Sequence, residues 1–153
     1  MSIFNFQYFH KLCFVTLTTI LISETFVVEA ANITESRALS ADSEPENWIL
    51  HGRTFNEQRF SPLSEINHKN VKDLGLTWFT DIPSKDGLLA SPLVIDGVIY
   101  VSAPFSMVYA IDAANGKILW TYDPDVRLDT SIGGSWSARI NRGVAAWGDN
   151  IYV

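Results

Sequence analysis

The sequence predicts an all-β fold, a β-propeller built from four-stranded sheets, on three observations. Four short runs of apolar and β-branched residues follow one another over residues 91–122, with turn residues between them. The pattern starts again over residues 143–153, where Gly-Asp-Asn-Ile-Tyr-Val is similar to the earlier Asp-Gly-Val-Ile-Tyr-Val. Residues 76–80 are similar to the last run of the first unit. A recurring four-stranded unit is typical of a propeller.

The first 30 residues predict a secretory signal that precedes the fold. Lys11 stands before an apolar run over residues 12–22, and residues 28–30 place small side chains at the −3 and −1 positions of a cleavage site. The run is too short to span a bilayer permanently. An uncleaved anchor is the alternative, which Glu24 and Glu29 disfavour. We therefore expect export to the periplasm.

The composition excludes several classes of function. The chain of 153 residues has 11 basic and 17 acidic side chains, a net charge of −6, so a nucleic-acid-binding surface is not expected. Hydrophobic residues make up 47 %, which is enough for a packed core. The single cysteine, Cys13, lies in the predicted signal, so the exported part has no thiol ligand or nucleophile.

The segments before the repeated sheet are expected to be irregular. Residues 31–46 are polar and small, which predicts a flexible mature N-terminus, and the propeller domain is expected to occupy residues 47–153. Asn67 is a good N-cap for a two-turn helix over residues 68–74, and a glycine follows it. The next run, residues 76–80, is predicted to be a strand.

The first complete sheet is predicted from its turns. Asp96-Gly97 is a strong hairpin signal between two β-branched runs. The four strands are expected over residues 91–95, 98–102, 107–111 and 117–122. A propeller closes its ring when an N-terminal strand completes the last blade, and residues 76–80 suit that role. They should therefore lie apart from this sheet. The strand pattern at residues 149–153 has no terminator, so we expect the chain to be the N-terminal part of a longer propeller.

Three stretches resemble one family. Residues 110–120 look like the tryptophan-docking repeat of the quinoprotein alcohol dehydrogenases, in which the Trp of one blade stacks on the turn of its neighbour. Residues 51–63 resemble the N-terminal signature of these enzymes, and residues 141–145 resemble the segment that delivers an arginine to the cofactor. The resemblance covers residues 48–153 and favours the methanol/ethanol branch of pyrroloquinoline quinone (PQQ) enzymes over the membrane glucose dehydrogenase branch.

The resemblance implies both a fold and an activity. It implies an eight-bladed propeller that holds PQQ beside a calcium or lanthanide ion, oxidises a primary alcohol to an aldehyde, and passes electrons to cytochrome c or a membrane quinone. The metal ligands and the catalytic aspartate come from later blades in the family, so none is assigned here and this segment alone is expected to be inactive. The alternative is a non-catalytic propeller scaffold for outer-membrane assembly, which would not need residues 51–63 or 141–143.

Four residues of this chain correspond to cofactor contacts of the family. Arg142 is expected to bind the quinone, because a guanidinium offers several charged donors, although an inter-blade salt bridge is the alternative. Trp136 and Ser137 stand where many members have adjacent cysteines; the indole could stack on the quinone or simply pack between blades. Leu89 replaces a common glutamate and can offer only an apolar contact. The pocket is thus altered, which fits either a divergent subclass or a weakened cofactor site.

Overall fold

The computed structural model describes residues 32–126 and 139–153. This part of the chain contains one α-helix, α1 (Glu35–Leu39), and three 3-10 turns at Ala41–Ser43, Val71–Asp73 and Pro104–Ser106. Its six strands are β1 (Leu93–Ile95), β2 (Val98–Ser102), β3 (Val108–Asp112), β4 (Ile118–Tyr122), β5 (Ala145–Trp147) and β6 (Asn150–Tyr152). Within the described ranges no helix has the length and apolar character needed to cross a membrane.

Strands β1 to β4 form the predicted blade, an antiparallel sheet in the order β1-β2-β3-β4. Ile95 lies opposite Val98, which leaves a two-residue turn between them. Asp96 and Gly97 occupy that turn with φ of 50° and 77°. A type I′ hairpin requires positive φ at both turn positions. The Asp-Gly pair therefore accounts for the register between β1 and β2.

The second unit begins as the repeat predicts, with the antiparallel pair β5 and β6. Trp147 lies opposite Asn150, and the turn between them contains Gly148 at φ 54°. Val144 and Ala146 are buried in the same apolar cluster as Leu93 of the first blade. Apolar packing between the first blade and this hairpin therefore forms the centre of the described structure.

The segment predicted to be a flexible N-terminus contains α1 and contacts both sheets, while its flexibility stays a prediction. Ile33 is buried and exchanges backbone hydrogen bonds with Gly148, while Trp48 does the same with Val94. The N-terminal segment has few apolar side chains, but two of them, Ile33 and Ala38, are buried. Within residues 32–46, Ile33 bonds to the β5–β6 turn and the Arg37 side chain contacts Asp96 in the β1–β2 turn, contacts that the polar composition did not reveal.

An ion-pair network holds this N-terminal segment on the blade. The Arg37 guanidinium contacts Glu44 at 2.8 Å and Asp96 at 2.5 Å. Asn47 donates to Glu44 at 2.7 Å and accepts from the backbone N–H of Asp96 at 2.8 Å. The hydrogen bond from Arg37 lowers the pKa of Glu44 below its ordinary value, and both carboxylates raise the pKa of Arg37.

The predicted helix over residues 68–74 is wrong, since only the single 3-10 turn Val71–Asp73 forms. The Asn67 side chain accepts from the backbone N–H of Lys69 at 3.0 Å, but the residue that precedes the 3-10 turn is Asn70, so Asn67 does not cap a helix. Val71 and Leu74 remain exposed. A short helix is stable only when it buries an apolar face, and the described residues provide no surface against which this one packs.

Residues 76–80 run extended but are not a strand, because none of the described residues pairs with their backbone. They lie outside the four-stranded sheet, whose last strand β4 pairs only with β3 in the described structure. The sequence predicts that this segment is not a fifth strand of the blade, and the structure confirms this. Leu76 is 80 % exposed and Phe79 is 72 % exposed, so much of this segment's apolar surface is uncovered.

Candidate functional site

A tryptophan docks on the turn between β3 and β4. The Trp78 indole donates from Nε1 to the carbonyl oxygen of Ala113 at 3.1 Å, and the Thr80 hydroxyl donates to the carbonyl oxygen of Gly116. Gly116 has a φ of 76°, and a Cβ at this position would overlap the Trp78 ring. Glycine is therefore required both by the backbone conformation and by the indole that covers it.

Side-chain hydrogen bonds make this turn a firm platform for the indole. Asp112 accepts from the backbone N–H of Ala114 and from the Asn115 amide, both at 2.8 Å. Asn115 in turn accepts from the backbone N–H of Lys117 at 2.8 Å. Short polar side chains that bond to backbone groups two residues on are the usual way in which such turns form.

The backbone around Arg142 is held on both sides. Its carbonyl oxygen accepts from the backbone N–H of Ser91 at 3.2 Å, within a parallel bridge between Ser91 and Gly143. On the other side, Asn141 Oδ1 accepts from the backbone N–H of Gly143 at 3.0 Å. Gly143 has a φ of 146°, and a Cβ there would lie 3.2 Å from the Ser91 carbonyl oxygen. Glycine thus lets the two segments approach.

Asn141 is itself anchored to the loop between β2 and β3. Its Oδ1 accepts from the Ser102 hydroxyl at 2.6 Å, and its Nδ2 donates to the Ser106 hydroxyl at 3.1 Å. Ser102 is fully buried, with 0 % exposure. Neither serine is among the residues that the sequence predicts for the site. The sequence feature that could have pointed to this contact is Ser102, a small polar residue at the end of an otherwise apolar strand.

The Arg142 side chain is exposed and makes no hydrogen bond or ion pair with the described residues. The alternative of an inter-blade salt bridge therefore has no partner within residues 32–126 and 139–153. Arg139, three positions earlier, is paired with Asp86 at 3.3 Å. Of these two arginines, Arg142 is the one whose guanidinium has no protein partner in the described structure.

Leu89 lies on a segment that contacts the segment of Arg142. It lies two residues before Ser91, whose bridge to Gly143 aligns the two segments, and the Asp86–Arg139 pair joins them again. Leu89 is 60 % exposed, so its side chain is uncovered by the described residues.

Trp136 and Ser137 lie outside the described residues, so their predicted contacts with the cofactor stay predictions. The roles predicted for Arg142 and Leu89 also stay predictions, and the structure shows only that their two segments are joined by the bridge between Ser91 and Gly143. In residues 32–126 and 139–153, no three His, Cys, Asp or Glu side chains form a group that could hold a metal ion. The Arg142 guanidinium has the chemistry to pair with a carboxylate such as those of PQQ, and no metal ligand is assigned within the described structure.

Arg53 is a second arginine of interest, in the segment that resembles the family signature. It is 5 % exposed, has a φ of 74°, and its Nη1 contacts Asp42 at 2.7 Å. Its Nε and Nη2 are buried without a hydrogen-bond partner in the described part of the chain. Nearby, the Trp48 indole donates to the carbonyl oxygen of His51 at 3.2 Å, which helps to order the segment.

A four-stranded blade whose β3–β4 turn receives an indole, followed by the first hairpin of a second unit, defines a β-propeller of the tryptophan-docking class. Comparison with known families specifies the class further. Residues 48–151 match the PQQ family model described as the β-propeller domain of glucose/ethanol/alcohol dehydrogenase. The chain belongs to this family, which confirms the resemblance found in the sequence.

Individual relatives agree with the family. The chain is 48 % identical over 124 residues to the quinohemoprotein alcohol dehydrogenase ADH IIB of Pseudomonas putida, covering 81 % of this chain and 18 % of the relative. It is 43 % identical over 106 residues to the 1-butanol dehydrogenase (cytochrome c) of Thauera butanivorans, covering 69 % of this chain and 15 % of that relative. The solved structure of the quinohemoprotein alcohol dehydrogenase ADHIIG from Pseudomonas putida HK5 superposes with a TM-score of 0.75 at 45 % identity. The superposition covers 81 % of this chain and 18 % of that structure's chain. The chain thus spans less than a fifth of the length of these relatives.

Proposed function

We propose that this chain is the part of a PQQ-dependent alcohol dehydrogenase that supplies Arg142 to the cofactor. The observation that carries the proposal is the arrangement of Arg142: its backbone is bonded on both sides, while its guanidinium has no partner among the described residues. The match to the dehydrogenase propeller family supports a carboxylate-bearing quinone as that partner. When bound, PQQ supplies the two-electron redox chemistry that protein side chains lack.

The residues of this chain would bind and orient the cofactor. The Arg142 guanidinium offers several donors in a fixed plane, so it can pair with a carboxylate. Leu89 would contribute an apolar contact from the neighbouring segment, and Trp136 would cover the ring if its indole stacks there. Calcium or a lanthanide ion, held by oxygen ligands elsewhere in the propeller, completes the proposed site.

The proposed reaction is oxidation of a primary alcohol to its aldehyde. The relatives named above are alcohol dehydrogenases, and one of them is named as acting with cytochrome c. Cytochrome c is therefore the favoured electron acceptor for this protein, and a membrane quinone is the alternative. The signal pattern in residues 1–30 supports a periplasmic location, where such an acceptor would be reached.

The proposal is tested with the full-length protein. Apoprotein is titrated with PQQ, first alone and then with Ca²⁺ or La³⁺, and dye reduction is followed with methanol, ethanol and 1-butanol. We expect saturable PQQ binding, and alcohol-dependent dye reduction that requires both PQQ and the metal ion. PQQ binding without dye reduction for any alcohol would refute the proposed activity but retain the cofactor site. Failure to bind PQQ would refute both and favour a non-catalytic propeller.

A further inference from the structure

We propose that Asn141 is a positioning residue, which aims Arg142 at the cofactor by fastening it to the β2–β3 loop. The inference rests on the proposed function, because it concerns the same site. It assigns a role to Ser102, Ser106 and Asn141, none of which is expected to touch the cofactor. Arg142 remains the residue that binds.

The Asn141 amide makes three hydrogen bonds in different directions. Its Oδ1 accepts both from Ser102 at 2.6 Å and from the backbone N–H of Gly143 at 3.0 Å, and its Nδ2 donates to Ser106 at 3.1 Å. Arg142 is the residue enclosed by the bond between Asn141 and Gly143. Its main chain therefore cannot turn without breaking a hydrogen bond that the buried Ser102 also supports.

The anchors of Asn141 are held firmly. Ser102 ends β2 and pairs with Val108 of β3, and it is fully buried. Ser106 lies in a loop that is closed by a 2.8 Å hydrogen bond from the backbone N–H of Ala103 to the carbonyl oxygen of Met107. Both Phe105 and Ser106 have positive φ, 62° and 58°, which is unfavourable for non-glycine residues and needs support from surrounding contacts.

The consequence is a preorganised arginine. A long side chain loses conformational freedom when it binds a ligand, and a backbone that is already fixed adds nothing to that cost. The Ser91 hydrogen bond fixes the Arg142 carbonyl group, and Asn141 fixes the next N–H group along the chain. Without Asn141 the affinity for a carboxylate ligand should fall, even though no direct contact to the ligand is lost.

The first measurement is the affinity of full-length apoprotein for PQQ. We expect Asn141→Ala to raise the Kd about 10-fold, the lower end of the range for groups that orient a ligating residue. Asn115→Ala is the matched control, because Asn115 also accepts from a backbone N–H two residues on but lies in the turn under Trp78. It should lower the melting temperature without changing the Kd. Equal effects of both variants on the Kd would overturn the proposal.

The second measurement asks whether Asn141 acts through Arg142. In an Arg142→Ala background, Asn141→Ala should change the Kd less than twofold, because the group that it positions is already gone. A full 10-fold effect in that background would show a general structural role and refute positioning. If Asn141→Ala does not fold, Ser106→Ala replaces it, removes only the Nδ2 contact, and should weaken binding by a smaller factor that also disappears in the Arg142→Ala background.

The third measurement needs no cofactor. Amide hydrogen exchange of the apoprotein should show faster exchange at Gly143 in Asn141→Ala than in the wild type, with Ile99 inside the blade unchanged. Unchanged exchange at Gly143 would overturn the anchoring itself. Failure of the wild type to bind PQQ would refute the proposed function and this inference together, whereas binding that Asn141→Ala leaves intact would refute only this inference.

Discussion

The Trp78 indole lies on the turn that contains Gly116, although the two residues are 38 positions apart, and it donates to the carbonyl oxygen of Ala113 at 3.1 Å. Residues 76–80 are thus attached to the blade by the side chains of Trp78 and Thr80 on a turn, and no described residue pairs with them as a strand. This is the contact that the docking repeat implies between neighbouring blades. The segment is thereby held beside the first blade while its own backbone edge stays open to a strand of another sheet.

Replacing Gly116 should measure the strength of this docking. We expect Gly116→Ala to destabilise the full-length protein by about 2–3 kcal/mol, because a positive φ is strained and the added methyl group displaces the indole. Gly97→Ala is the matched control, with a φ of 77° against 76° and no atom within 4 Å of an added Cβ. Denaturant unfolding should show a clearly smaller loss for Gly97→Ala. Equal losses of stability in the two variants would mean that backbone strain at the glycine, and not the contact with the indole, causes the destabilisation.

Replacing Arg142 should weaken cofactor binding. Arg142→Ala removes a charge-assisted donor at a cost of about 1.5–3 kcal/mol, which corresponds to a rise of roughly 10- to 150-fold in the Kd for PQQ. Arg139→Ala is the control, since it removes the same charge from the same segment but from a group already paired with Asp86. Titration of both apoproteins compares them. Similar affinities for the two variants would return Arg142 to a structural role.

The Arg37 network predicts acid sensitivity. The pKa of Glu44 is lowered chiefly by the hydrogen bond from Arg37, so its carboxylate stabilises the fold above the ordinary pKa of about 4.5. That contribution should be lost as the pH falls through the lowered pKa. Glu44→Gln should therefore be less stable than the wild type at pH 7, and the difference should narrow below pH 4.5 in thermal unfolding. The exposed Glu35, which lies outside this network, is replaced by Gln as the control.

The segment over residues 31–153 should be neither active nor well folded on its own. Its described residues form one complete blade, the chain spans less than a fifth of the length of its relatives, and large apolar side chains such as Leu76, Phe79 and Trp147 are exposed. Repeat units need several neighbours before burial outweighs chain entropy. We expect aggregation or non-cooperative melting and no PQQ-dependent dye reduction with methanol or ethanol. A cooperatively melting monomer that reduces dye would contradict the propeller assignment.

The local features of the blade could be predicted from the sequence because short-range chemistry specifies them. Asp96-Gly97 has few alternatives to a type I′ turn, and Asp112 with Gly116 builds the β3–β4 turn from bonds within five residues. The alternation of apolar residues then places Leu93 and Ile95 in the core. The family resemblance depended on the β3–β4 turn together with residues 51–63 and 141–145, so both the fold class and the expected role of Arg142 could be proposed without coordinates.

Long-range partners decided the rest. The polar segment after residue 31 contacts the β5–β6 turn through the backbone of Ile33, and the helix predicted after Asn67 fails because none of the described residues covers it. The bond between Ser102 and Asn141 joins residues 39 positions apart. By itself the sequence determined the turns and the repeat, since these depend on neighbouring residues. Only the tertiary structure decided which segments pair and which side chain holds Arg142, because a contact between distant residues exists only after the chain has packed.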